Sequence, residues 1–99
     1  MKPRPEALQR ATRAVAWMDE NVDEYVRLEP REHFDPCVVG VVQRFNDTVL
    51  LYSKRAVLAS FVAQGMTEEE AREYFDYNTV GGWFGAGTPV FLVDDREEA

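Results

Sequence analysis

Cys37-Val38-Val39-Gly40-Val41-Val42-Gln43-Arg44-Phe45, then Asn46-Asp47, then Thr48-Val49-Leu50-Leu51-Tyr52-Ser53: this stretch decides the fold. Both flanks are rich in β-branched residues, which fit a pleated surface. Asn and Asp tolerate positive φ, so Asn46-Asp47 is the expected two-residue turn of an antiparallel hairpin. Alternation then places Val39, Val41, Phe45, Leu50 and Tyr52 on one face and Val38, Val42, Val49 and Leu51 on the other. A hairpin with one wet face alternates apolar with polar residues. This one is apolar on both sides, so both faces need cover.

Upstream, residues 6–29 read as one long helix. Leu8, Ala11, Val15, Met18, Val22 and Tyr25 recur at alternating steps of three and four, the narrow seam of a helix lying in a groove or against another helix. Pro30 marks the stop, since the residue before proline avoids the α region. Residues 30–36 form a polar connector between two prolines. A helix of about 24 residues would be ~36 Å long, against ~20 Å for a six-residue strand. Its overhang would leave Leu8, Ala11, Val15 and Met18 as an apolar stripe, and such a stripe predicts a homodimer interface.

Downstream, residues 54–64 read as a short helix with Val57, Leu58, Phe61 and Val62 on one face and Gly65 as its stop. Thr67 and Glu70 have the spacing of a capping box, so a second helix starts there, with Ala71, Tyr74, Phe75 and Asn78 along one side. A glycine-rich connector, Gly81-Gly82-Trp83-Phe84-Gly85-Ala86-Gly87, leads to a last strand over residues 88–93, with Pro89 near its start. The expected fold is α+β, in the order α-β-β-α-α-β with a small antiparallel sheet. It is one domain over residues 1–99, with 1–5 and 94–99 as disordered tails.

The chain of 99 residues carries 18 acidic and 11 basic side chains, a formal net charge of −7. That balance argues against nucleic acid and against an anionic membrane surface, both of which demand clustered cations. It serves solubility, and it also suits a basic protein partner. One cysteine excludes an internal disulfide. With no secretory signal and no apolar run of ~20 residues, the cytoplasm is the expected compartment.

Candidate chemistry is sparse, and the reading leans against an enzyme. His33 stands four residues before Cys37, yet no third group orients such a pair, and a surface histidine beside a buried cysteine is the stronger reading. One His and one Cys cannot make a zinc site, so no metal and no cofactor are expected. Glu69, Glu73 and Asp76 share a helix stripe and read as a solvated face. The glycine-rich loop lacks the lysine and the following helix of a phosphate cradle. Its neighbours Asn78, Trp83 and Phe84 are the candidate binding residues: a polar group on an apolar helix face, and two adjacent aromatics that an extended segment would point to opposite sides.

From about residue 38 onward the chain resembles a group of short uncharacterised proteins encoded in bacteriophage and prophage genomes. The resemblance lies in Gly65-Met66-Thr67-Glu68-Glu69-Glu70-Ala71, Glu73-Tyr74-Phe75-Asp76-Tyr77-Asn78, Gly82, and Gly85-Ala86-Gly87-Thr88-Pro89-Val90-Phe91. It implies a phage-accessory context and supplies no reaction and no catalytic residues. The function expected on these grounds is binding of a host or defence protein, as an inhibitor. The alternative is a small-molecule or nucleotide-binding protein, or a hydrolase, using the 78–88 loop.

Overall fold

The hairpin forms as strands β1 (Val38–Arg44) and β2 (Asp47–Ser53) of a computed structural model, whose described residues are 5–80 and 87–93. Its turn falls one residue earlier than expected. Arg44 pairs with Asp47, so the two loop residues are Phe45 and Asn46. The polar residues explain the shift. In the observed register Gln43 faces Thr48, Arg44 faces Asp47, Val42 faces Val49 and Val41 faces Leu50. A turn at Asn46-Asp47 would have set Gln43 against Leu50 and Arg44 against Val49. Phe45 consequently leaves the strand face, takes φ 56° and stands 89% exposed.

A register shift between Val38 and Gly40 makes a bulge at Val39. It brings Val38 opposite Tyr52, onto the face of Val41 and Leu50 rather than that of Val42. Val38, Leu50 and Tyr52 are fully buried there. Val49 is fully buried on the other face, with Val42 and Leu51 half-buried beside it.

The third strand, β3 (Val90–Leu92), lies on the far side of β2, giving the order β1-β2-β3. It runs parallel to β2, with Tyr52 beside Phe91, so the sheet is mixed and not wholly antiparallel. Two helices intervene between β2 and β3, and a crossover of that length returns the chain pointing the same way.

The first helix, α1, spans Pro5–Asn21 and stops eight residues short of the expected end. Its last turn and the residues just beyond carry Asp19, Glu20, Asp23 and Glu24, with no basic residue in that turn, opposing the negative end of the helix dipole. The Asn21 side chain donates 2.9 Å to the Trp17 carbonyl, serving one of the carbonyls left open there. Ala11, Ala14 and Met18 face the core, and Met18 is fully buried. The seam residues Val22 and Tyr25 keep their apolar contacts from a non-helical strap, residues 22–28, together with Leu28. Three contacts hold the strap to later parts of the chain. The Val26 N–H donates to the Gly87 carbonyl at 3.1 Å, the Leu28 N–H to the Tyr52 hydroxyl at 2.9 Å, and Arg27 pairs with Asp35. Gly87 lets the chains approach closely at the first contact, since a Cβ there would sit 3.0 Å from the Tyr25 Cα.

Residues 30–36, expected as a polar connector, instead form a short helix α2 (Arg31–Phe34) and enter a 3-10 turn (Asp35–Cys37) that takes in Cys37, because Phe34 and Cys37 are buried against the core. Helix α3 (Lys54–Ala63) begins at Ser53, whose hydroxyl accepts from the Ala56 N–H at 3.0 Å. It ends at Gly65 (φ 117°), where Met66 N–H returns to the Phe61 carbonyl and Gly65 N–H to that of Val62, the Schellman pattern. Helix α4 (Glu68–Tyr74) starts at the Thr67–Glu70 capping box, and its chain continues as a π-helical turn, Phe75–Val80. Val57, Phe61, Ala71 and Phe75 are buried, whereas Val62 and Tyr74 are over a third exposed. Edge-to-face rings join these parts: Phe34 to Phe61 at 5.7 Å, Phe61 to Tyr74 at 5.1 Å, and Phe75 to Phe91 at 4.9 Å. Of the expected tails, Pro5 opens α1, and the rest lies outside the described residues.

Candidate functional site

The strap turns the chain back beside the helix it has just left. α1 therefore forms one wall of an open groove, and α2 with the following 3-10 turn forms the other. The groove has a volume of about 500 Å³ and a floor of Leu8, Ala11, Val15, Ala16 and Pro36. Thr12, Asp19, Arg31, Glu32 and Asp35 supply its polar part. From Leu8 to Asp19 the α1 wall runs for three turns, roughly 16 Å.

Two ion pairs shape the α2 wall. Arg27 Nη2 lies 2.5 Å from Asp35 Oδ2, and Arg31 Nε lies 3.1 Å from Glu29 Oε2. Burial works against the Arg27 charge, but the Asp35 hydrogen bond and charge outweigh it and raise the Arg27 pKa. The pair leaves the second Asp35 oxygen, Oδ1, buried without a hydrogen-bond partner, and Arg27 Nε likewise. Tyr25 donates its hydroxyl proton to Asp19 Oδ1; partial burial together with that carboxylate pushes the phenol up to about 12.

The four residues expected at a dimer interface divide. Met18 belongs wholly to the core and is not available to a second copy, because α1 packs that side onto its own sheet. Ala11 is also core, at 4% exposure, while forming part of the groove floor. Leu8 and Val15 remain at the groove surface. Among the candidate binding residues, Asn78 has its backbone in the π-helical turn, whereas its side chain, Trp83 and Phe84 lie outside the described residues.

His33 and Cys37 form no nucleophilic pair. The thiol is directed to the His33 backbone carbonyl, 3.7 Å away, and not to its ring. Burial, with a contribution from Asp35, pushes the thiol up to about 12, so it is protonated at neutral pH. Glu69, Glu73 and Asp76 are exposed on their helical stripe. Among the described residues no group of three or more His, Cys, Asp or Glu side chains is placed to hold a metal ion.

The groove was not legible from the sequence. Its α1 wall was visible as the seam, but its second wall depends on the strap, two of whose anchors, Tyr52 and Gly87, lie far along the chain. A signal did exist, in the acidic run Asp19-Glu20 and Asp23-Glu24, which disfavours helix continuation. No protein-family model matches the sequence, and no curated protein or solved structure matches it.

Proposed function

We propose that the protein acts by binding another protein, with the groove between α1 and α2 as the receiving surface. The observation that carries this reading is the groove itself: an apolar floor, a polar rim, and a length of three helical turns along one wall. Small-molecule sites enclose most of their ligand, whereas this trough is open and suits a segment of polypeptide. No helix among the described residues is long and apolar enough to cross a membrane, and the cytoplasm is the compartment proposed. A host or defence protein as partner, and a role as its inhibitor, rest on the resemblance to phage-encoded proteins alone.

The test uses Ala16, an exposed groove residue whose enlargement leaves the core untouched. Ala16→Phe should fill the groove and abolish capture of the partner by the immobilised protein, with circular dichroism unchanged. Undiminished capture would place the binding surface elsewhere. Self-association through Leu8 and Val15 is the competing use of the groove. Light scattering after size-exclusion chromatography reads it directly, and a mass of 11.4 kDa leaves the groove to a different protein.

A further inference from the structure

Resting on that reading, we infer that the groove takes a basic amphipathic segment, an apolar helix face flanked by lysine or arginine. Two observations point this way. Of the three lining carboxylates, Asp35 is paired with Arg27, which leaves Asp19 and Glu32 as the acidic groups of the groove, and the one lining cation, Arg31, is held by Glu29. Second, the floor presents Leu8, Ala11, Val15 and Ala16 at helical spacing, so apolar contacts recur along ~16 Å and suit an occupant of about three turns.

The chain as a whole is acidic, so non-specific attraction must be separated from groove recognition. The probe is a blocked leucine–lysine helix of about 12 residues, labelled for fluorescence anisotropy, beside its leucine–glutamate analogue. The lysine peptide should saturate the protein and the glutamate peptide should not. Asp19→Asn combined with Glu32→Gln should weaken binding about three- to tenfold, the range that two exposed ion pairs supply. Glu69→Gln combined with Glu73→Gln removes the same charge from α4, which does not line the groove, and should leave the affinity within about twofold. Ala16→Phe should block the lysine peptide.

Equal weakening by the two double variants would overturn the inference, and so would binding of the glutamate peptide. A doubled mass in light scattering that Ala16→Phe restores to one chain would also overturn it, in favour of a second copy as occupant. The broader reading fails separately. If Ala16→Phe leaves partner capture intact, the groove is not the binding surface. If it abolishes capture while the lysine peptide does not bind, the groove stands and the basic occupant falls.

Discussion

Residues 64–70 and residues 22–28 both connect one element to the next, and they are built on opposite principles. In the α3–α4 junction the hydrogen bonds close locally: Met66 to Phe61, Gly65 to Val62, Glu70 to Thr67 and back. In the strap they run to Gly87, Tyr52 and Asp35. The junction is therefore written in a few adjacent residues. Two of the strap's anchors, Tyr52 and Gly87, are neighbours only in the folded chain, and the groove's second wall depends on it.

Substitutions should separate the two. Met18→Ala, in the helix the strap leaves, is expected to cost about 2–5 kcal/mol, because a fully buried side chain leaves a cavity against the sheet. Urea unfolding measures it, and the loss should exceed that of any single change in the junction. Next, Tyr52→Phe removes the acceptor of the Leu28 N–H and should cost about 1–3 kcal/mol, with faster hydrogen exchange at the Leu28 amide. Unchanged exchange there would mean that the strap is held without this bond.

Alkali acts on the same region. Burial pushes the Tyr52 phenol from 10.0 and the Cys37 thiol from 9.0 to about 12 each. The folded chain then keeps protons that the unfolded chain releases, so stability is full below pH 9 and falls as the pH rises from about 9 to 12. Thermal unfolding across that window should show the decline, and Tyr52→Phe should flatten its upper part. In the junction, Thr67→Ala should cost about 1 kcal/mol by removing one cap, without altering exchange at Leu28. The smallest effect is a gain. Phe45 sits at φ 56°, which a bulky residue resists, and Phe45→Asn should stabilise the hairpin by about 0.5–1 kcal/mol in the same urea titration.

Each feature readable beforehand had a local cause. The β-branched runs around residues 37–53 specified two strands, Thr67 and Glu70 specified a helix start, and Gly65 specified a stop, because propensity and short-range hydrogen bonds act within a few residues. The turn moved by one residue because pairing of Gln43 with Thr48 and of Arg44 with Asp47 outweighed the preference of Asn46-Asp47. The seam of three- and four-residue steps passed through Val22 and Tyr25 without a break, since burial on a helix and burial in a strap select the same apolar residues. What separates them is a carbonyl at Gly87, a hydroxyl at Tyr52 and a carboxylate at Asp35, each brought near by folding. By itself, then, the sequence determined the hairpin, α3, the start of α4 and most of the side chains these elements bury, but not α2, which lies where a polar connector is expected. The end of α1, the parallel third strand and the groove were decided by tertiary structure, because their energies come from groups that meet only in the folded chain.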